Sequence, residues 1–236
     1  MSAARVNPQL PLGLVLRESA RFESYFPGDN REAVLALRAC ALGDGEPFVY
    51  LAGAAGVGKS HLLQAACLSA GTVGRSVAYL PLADLAGTTP ALLEGLEQQD
   101  LICLDDVHAI AGNADWERAV FALFNRVRDA GGGLLVAALQ RADRSGFALA
   151  DLASRLAWGV TYVLAPLVDE QVIAALALRA RGRGLELPDD TVQYLLKRMP
   201  RDLPSVFNLL DRLDEASMIE QRRLTVPFVK SVLDQD

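Results

Sequence analysis

The octapeptide GAAGVGKS, from Gly53 to Ser60, fits the phosphate-loop pattern G-x-x-x-x-G-K-[ST] at every fixed position. The apolar run FVYLA precedes it and KSHLLQAAC follows with helical character, which is the strand–loop–helix context that the pattern requires. Glycines let consecutive backbone N–H groups turn toward a phosphate, and a helix N-terminus adds partial positive charge. The stretch therefore predicts a nucleotide-binding loop, the alternative being a chance glycine-rich turn.

The residues of this loop have distinct predicted tasks. We expect Lys59 to bridge the β- and γ-phosphates of ATP or ADP, and the Ser60 hydroxyl to bind Mg²⁺. Further nucleotide contacts are assigned to Ala55, Gly56, Val57, Gly58 and His61.

A second apolar run, LICLDD, ends in two acids, Asp105 and Asp106. A carboxylate at the end of a strand near the phosphate loop is suited to bind the metal ion, which is the role expected of Asp105. Asp106 is the candidate for polarising an attacking water. Alternatively, both acids cap a helix or are solvated in a turn. His108 has no partner at metal-ligand spacing, so it is interpreted as an ordinary loop histidine.

The elements that must position these residues can be inferred from hydropathy. Five short apolar runs are separated by stretches long enough for helices, and continuous hydrophobicity is typical of strands covered on both faces. We therefore predict an α/β domain over residues 20–167, with a five-stranded parallel sheet sandwiched by helices. One crossover helix should present apolar residues on one face and end at Gly131. After Leu167 only helical patterns follow, which predicts a small helical domain over 168–236. The five runs begin at Phe48, Ser76, Leu101, Leu134 and Val160, and the crossover helix face comprises Ala119, Val120, Leu123, Phe124 and Val127.

Composition restricts the partners. The net charge of −6 and the pI of about 5.0 argue against broad electrostatic binding to DNA or to an anionic membrane. Three cysteines, widely spaced in apolar contexts, are typical of buried free thiols in a reducing compartment. We find no transmembrane pattern and no signal-peptide layout, so a cytoplasmic protein is expected.

The peptide QLPLGL, from Gln9 to Leu14, has no obvious place in a regular element. Three leucines favour burial, whereas Pro11 and Gly13 disfavour both helix and strand. An extended apolar peptide of this kind must lie on a surface, either of this protein or of another one.

The phosphate loop, LDDVHAIAG, DLASRLAWG and the helical C-terminal part together resemble the AAA+ module of the bacterial replication initiator DnaA, over about residues 20 to 234. WERAVFALFNRV, LRARGRGLELPDD and RLTVPFVKSVL are similar to the short homologues that act as regulatory inactivators of DnaA. The resemblance implies a P-loop AAA+ module followed by an α-helical lid domain. Full-length initiators carry a helix-turn-helix DNA-binding domain after the lid, whereas this sequence ends at Asp236, so we expect it to meet DNA only through other proteins.

The resemblance also implies further site residues. In this family the segment YFPGDN packs against the adenine, which assigns nucleotide contacts to Phe26 and Asn30. Arg155 matches the arginine finger that acts in trans, although an arginine there could instead form an ordinary intrachain salt bridge. Two positions depart from the initiator pattern. Leu139 replaces a polar group that senses the γ-phosphate, and Pro204 replaces a lid arginine, for which Arg201 is the nearby substitute. Both departures predict weak or absent intrinsic ATPase activity.

By the same resemblance, QLPLGL is similar to the peptide by which replication proteins dock on the bacterial sliding clamp. Gln9 would make polar contacts, while Leu10, Leu12 and Leu14 would enter an apolar groove. The expected function is regulation of replication initiation. With ADP or ATP bound, and tethered to the clamp near the replisome, the chain would stimulate hydrolysis of DnaA-bound ATP and so prevent re-initiation. Homo-oligomerisation is left open.

The sequence also allows two other functions. A self-contained AAA+ ATPase that loads or remodels a helicase would show high intrinsic turnover. A small-molecule kinase would carry its substrate lid as an insertion in the α/β domain, whereas here the helical segments follow that domain.

Overall fold

The computed structural model describes residues 20–182, 184–185, 187–198, 209–210, 212–213, 216 and 224–233. Several predicted residues lie outside this set, namely the peptide Gln9 to Leu14 that resembles clamp-binding peptides, Arg201 and Pro204. The strands within the described part are β1 (Phe48–Ala52), β2 (Val77–Pro81), β3 (Leu101–Asp105), β4 (Gly133–Ala138) and β5 (Val160–Val163). The α-helices there are α1 (Arg31–Leu42), α2 (Lys59–Thr72), α3 (Leu82–Leu85), α4 (Ala114–Ala130), α5 (Ala150–Leu156), α6 (Asp169–Gly182), α7 (Asp189–Arg198) and α8 (Val226–Leu233).

The strands form one parallel sheet in the order β2-β3-β4-β1-β5. The predicted five-stranded parallel sheet is confirmed. In register, Ala52 at the end of β1 lies opposite Ala138 at the end of β4, and Pro81 of β2 lies opposite Asp105 of β3. Because all the strands run the same way, the phosphate loop and the acid pair both lie at the carboxyl ends of the strands.

Two apolar layers cover the two faces of the sheet, which explains why the strands are continuous hydrophobic runs. On β1, Tyr50 and Ala52 face one buried cluster, to which α4 and α5 contribute. Val49 and Leu51 face the other, which α1 and α2 fill. The three cysteines are buried free thiols, as expected, and belong to this second layer.

The strand β5 differs from the other four. It lies at the edge of the sheet, and the side chains of Val160 and Val163 are 40% and 61% exposed. Its apolar sequence therefore does not reflect burial on both faces.

The crossover helix α4 has the predicted structure. Asn113 Oδ1 caps its N-terminus by accepting from the backbone N–H of Asp115 at 3.2 Å, and Gly131 ends it with a φ of 74°. The helix buries Trp116 and most of the predicted apolar face, namely Val120, Leu123, Phe124 and Val127, while Ala119 packs partly buried against the same cluster. Four apolar residues at helical spacing thus attach α4 to the sheet.

The described residues of the C-terminal part lie mainly in helices and have their own small core. Leu195, Leu209, Leu213 and Phe228 are among the residues buried there, while Val172 and Leu176 bury one face of α6. None of the helices in the described residues combines the length and apolar character needed to span a bilayer. The domain limits at 19/20 and 167/168 stay predictions.

Candidate nucleotide-binding site

The phosphate loop connects the end of β1 to the start of α2. Gly56 and Gly58 have φ values of 81° and 95°, in the left-handed region that other residues rarely adopt. A Cβ on Gly58 would also lie 2.6 Å from Cε2 of Tyr25. The loop thus needs glycine for its turn and for the close approach of an aromatic ring.

Lys59 is buried at the first position of α2, with 5% of its surface exposed. Its Nζ donates to the carbonyl oxygens of Gly53 at 2.7 Å and Ala54 at 2.9 Å, so the ammonium is held inside the loop. Burial lowers the pKa of Lys59, while the charges of Asp106 and Asp105 oppose that shift. The next residue, Ser60, is exposed and can present its hydroxyl to a metal ion.

Asp105 is buried at the end of β3 and is held by neighbours on both oxygens. Oδ2 accepts from the Tyr79 hydroxyl at 2.7 Å, and Oδ1 accepts from the backbone N–H of Asp106 at 3.0 Å. Gln64 of α2 in turn donates to the Tyr79 hydroxyl at 3.2 Å. Burial, followed by the charge of Asp105, raises the pKa of Tyr79, which keeps this hydroxyl protonated as a donor.

Sequence reasoning missed Tyr79. Its position in β2 is opposite Cys103, two residues before Asp105, so Tyr79 and Asp105 lie on the same face of neighbouring strands. The signal was present in the sequence, but it becomes visible only once β2 is known to pair with β3.

Asp106 begins the turn after β3 in a left-handed conformation, with a φ of 52°. Burial raises the pKa of its carboxyl, and the neighbouring charge of Asp105 adds to the shift. His108, expected to be an ordinary loop histidine, places Nδ1 3.9 Å from Asp106 Oδ1, beyond hydrogen-bonding distance. Two acids and a histidine are therefore gathered next to the phosphate loop.

Leu139 follows directly after β4, at the carboxyl ends of the strands. The backbone N–H of Gly53 donates to the carbonyl of Ala138 at 3.2 Å, which brings Leu139 beside the start of the phosphate loop. The Leu139 side chain is 42% exposed and has no group that can hydrogen-bond to a phosphate or to water.

The segment before α1 covers the phosphate loop through Tyr25. Its hydroxyl donates to the carbonyl of Val57 at 3.2 Å, and its ring centroid lies 5.8 Å from that of His61. His61 Nε2 lies 2.9 Å from the carbonyl oxygen of Arg21, so the histidine joins α2 to this segment. Tyr25 was not among the predicted contacts, whereas Phe26, which was, is half-buried.

Asn30 joins the segment before α1 to the residues that follow β5. Its Oδ1 accepts from the backbone N–H of Ala165 at 2.8 Å, and its Nδ2 donates to the Ala165 carbonyl at 2.9 Å. Gly28 contacts the same region, since a Cβ there would lie 2.8 Å from Leu167. The predicted adenine segment is thus attached to the residues that lead into α6.

Arg155 lies far from the phosphate loop, at the second-last residue of α5. Its guanidinium lies 5.7 Å from the ring of Trp158, and that ring lies 6.3 Å from the ring of Phe48, the first residue of β1. The phosphate loop follows the other end of the strand, after Ala52, and this length of strand spans about 13 Å. Arg155 forms no salt bridge with any acid in the described part of the chain.

Glu117 of α4 is a fully buried carboxylate that sequence reasoning also missed. Oε1 accepts from the backbone N–H of Gly112 at 2.6 Å and of Ala148 at 3.1 Å, and Oε2 accepts from that of Leu149 at 2.7 Å. Gly112 follows the acid pair and Leu149 precedes α5. One side chain therefore connects the loop after Asp106 to the helix that carries Arg155.

Comparison with known protein families finds two matching regions in this chain. Residues 16–163 match the family described as the bacterial DnaA ATPase domain, and residues 169–233 match the lid domain of Hda. This chain belongs to the Hda family of DnaA-related AAA+ proteins. It therefore has an ATPase-type nucleotide-binding domain and is related to replication proteins.

Solved structures of DnaA share the Hda fold described here. Domain III of the Thermotoga maritima initiator DnaA superposes with a TM-score of 0.80 at 20% identity, covering 94% of this chain and 98% of that one. AMPPCP-bound DnaA from Aquifex aeolicus has a TM-score of 0.71 at 23% identity, covering 84% of this chain and 66% of that one. The Thermotoga maritima RuvB Holliday junction branch migration motor has a TM-score of 0.64 at 19% identity, covering 91% of this chain and 73% of that one. At these identities the likeness concerns the fold alone.

Proposed function

We propose that this Hda-family chain is a regulator that stimulates hydrolysis of ATP bound to DnaA, and thereby prevents re-initiation of replication. Arg155 acts in trans on the DnaA-bound nucleotide. The chain's own nucleotide, ADP in the working state, orders the domain that presents it. Residues 1–19 carry the clamp-binding peptide, 20–167 form the AAA+ domain and 168–236 form the lid, in a cytoplasmic protein that works beside the replisome.

The position of Arg155 carries this proposal. Because its guanidinium lies at the amino end of β1, about 13 Å of strand separate it from the loop that would bind its own nucleotide. An arginine without an acidic partner among the described residues retains its full charge for an external anion. A finger of this kind can accelerate phosphoryl transfer by several powers of ten in a partner's site.

The chain's own site supports nucleotide binding more than turnover. Asp105 and Ser60 supply oxygen ligands of the kind that Mg²⁺ prefers. When bound, Mg²⁺ neutralises charge on the phosphates. Asp106 would orient a water, but Leu139 beside the loop offers no hydrogen bond to the γ-phosphate. Slow intrinsic hydrolysis follows from that apolar side chain.

Tethering is assigned to the peptide from Gln9 to Leu14. Gln9 provides polar contacts and the leucines Leu10, Leu12 and Leu14 fill a groove on the sliding clamp, while Pro11 lowers the entropy cost of an extended conformation. DNA is met only through the clamp. Phe26, Asn30 and, from the lid, Arg201 complete the proposed nucleotide contacts.

The experiment that tests the proposal measures hydrolysis of DnaA-bound ATP with this chain, the clamp and DNA. Arg155→Ala should fold, bind nucleotide and bind the clamp like wild type, but lose stimulation, because charge developing on the phosphoryl group is no longer neutralised. Arg155→Lys should restore little, since an ammonium lacks the planar set of donors. Full stimulation by Arg155→Ala would refute the proposal.

A second candidate function is a self-contained ATPase that loads or remodels a helicase. The complete set of Lys59, Asp105 and Asp106 at one sheet edge favours it. Turnover in the ordinary enzyme range, about 1–10³ per second, by this chain alone would support that function and contradict slow intrinsic hydrolysis.

A further inference from the structure

The guanidinium of Arg155 lies against an aromatic side chain on its own chain. Its Cζ is 5.7 Å from the centre of the Trp158 ring, within the range of a cation–π interaction. The backbone N–H of Trp158 also donates to the carbonyl of Arg155 at 3.1 Å, in the turn that ends α5. Side chain and backbone of Trp158 therefore both contact Arg155.

Trp158 is itself fixed to the sheet on one side and open on the other. Its ring lies 6.3 Å from that of Phe48 in β1 and 6.0 Å from that of Phe124 in α4. The next residue, Gly159, allows this approach, since a Cβ there would clash with the backbone carbonyl of Phe48. Trp158 nevertheless remains 58% exposed. An exposed tryptophan anchored in this way gives Arg155 a rigid support at the protein surface.

A second guanidinium lies against the same indole but is differently paired. Cζ of Arg128 is 5.6 Å from the Trp158 ring, and its Nε and Nη2 donate to Asp129 Oδ1 at 3.0 and 2.8 Å. The charge of Arg128 is therefore compensated within α4. Of the two arginines on the ring, Arg155 is the one without an acidic partner among the described residues.

We propose that Trp158 is a positioning residue that holds the Arg155 guanidinium in the orientation in which a nucleotide-bearing partner receives it. This inference rests on the proposed function. An unrestrained arginine side chain rotates about several bonds, and docking would have to order it. The indole restricts it beforehand, so that more of the binding free energy remains for the phosphoryl group in the transition state.

The test uses the full chain with the clamp on DNA, and measures single-turnover hydrolysis of DnaA-bound ATP over a range of chain concentrations. Trp158→Leu should lower the maximal rate about two- to fivefold, the loss expected for an exposed cation–π contact. Trp158→Phe keeps a π face and should remain within about twofold of wild type. The matched control, Arg128→Ala, removes the other guanidinium from the same ring and should leave the maximal rate unchanged.

Two further readouts separate positioning from a structural role. The affinity of the chain for its own nucleotide should be unchanged in Trp158→Leu, because the indole is distant from the phosphate loop. Its melting temperature should fall only slightly, because Trp158 is 58% exposed and loses only its contacts with two aromatic rings. Lost nucleotide affinity, or a strongly lowered melting temperature, would show a structural role and overturn the inference.

The remaining outcomes are also decisive. A wild-type maximal rate in Trp158→Leu, or a raised half-saturating concentration with the maximal rate retained, would overturn positioning, the latter in favour of docking alone. Arg155→Ala separates a failure of the proposed function from a failure of the role of Trp158. If that variant still stimulates hydrolysis, the proposed function fails. If it is inactive while Trp158→Leu is fully active, only the role of Trp158 fails.

Discussion

At the scale of single residues, the candidate site depends on polar atoms whose partners are supplied by the protein itself. Lys59 Nζ is satisfied by two loop carbonyls, and the two oxygens of Asp105 accept from Tyr79 and from the backbone of Asp106. Buried charged groups need such partners because an unpaired one is costly to desolvate. The same contacts fix the orientation of the Lys59 and Asp105 side chains in the candidate site.

Lys59→Ala should therefore weaken nucleotide binding strongly. Losing charge-assisted hydrogen bonds to phosphate, each worth about 1.5–3 kcal/mol, corresponds to a drop in affinity of roughly ten- to a hundredfold. Titration with a fluorescent ADP analogue measures this directly. Lys230→Ala, which removes an exposed lysine of α8, serves as the matched control and should bind like wild type. An unchanged dissociation constant for Lys59→Ala would contradict the assigned site.

Tyr79→Phe should destabilise the domain, because Asp105 Oδ2 would remain buried and lose its donor. Hydrogen bonds to charged groups contribute about 1.5–3 kcal/mol, and we expect the free energy of unfolding to fall by that amount in urea denaturation. Tyr162→Phe is the control, since the Tyr162 hydroxyl makes no hydrogen bond within the described part of the chain. Equal stability of the two variants would exclude a structural role for the Tyr79–Asp105 contact.

At the scale of elements, the sequence predicted what depends on local pattern. Continuous apolar runs gave the five strands, and helical spacing with a terminal glycine gave α4. Contacts between elements were not predictable in the same way. Tyr79 meets Asp105 only because β2 pairs with β3, and Glu117 binds backbone groups 31 and 32 residues further along the chain. Neither contact has a sequence period, because each depends on the order in which elements pack.

Glu117→Ala should show how far α4 holds its neighbouring loops together. Three backbone N–H groups would lose their acceptor, and we expect the free energy of unfolding to fall by about 2–4 kcal/mol. Glu117→Gln, which keeps one acceptor oxygen, should lose less. The measurement is urea denaturation followed by circular dichroism.

The control for this variant lies in the same helix. Asp115 is an exposed acid in the first turn of α4 that pairs with Arg118 at 2.6 Å. Because surface pairs of this spacing contribute about 0.5 kcal/mol or less, Asp115→Ala should change stability little. If Glu117→Ala were no less stable than Asp115→Ala, the buried carboxylate would not connect the two loops.

At the scale of the whole molecule, the proposed tasks are distributed over separate parts of the chain. The nucleotide loop lies at the carboxyl ends of the strands, Arg155 lies toward the amino ends, and the clamp-like peptide precedes the described residues. This separation has a consequence for variants. A change in one part should remove one task and leave the others intact.

The clamp peptide provides the sharpest test of that separation. Gln9→Ala, or Leu10→Ala together with Leu12→Ala, should abolish binding to the sliding clamp, because a short peptide depends on a few pocket-filling side chains for its affinity. Stimulation of DnaA-bound ATP hydrolysis on clamp-loaded DNA should fall with it, whereas the melting temperature and nucleotide affinity should stay at wild-type values. Arg155→Ala should give the converse result, with clamp binding retained and stimulation lost. A large drop in melting temperature for the peptide variants would mean that the leucines pack on this protein's own core, and the tether would then have to be abandoned.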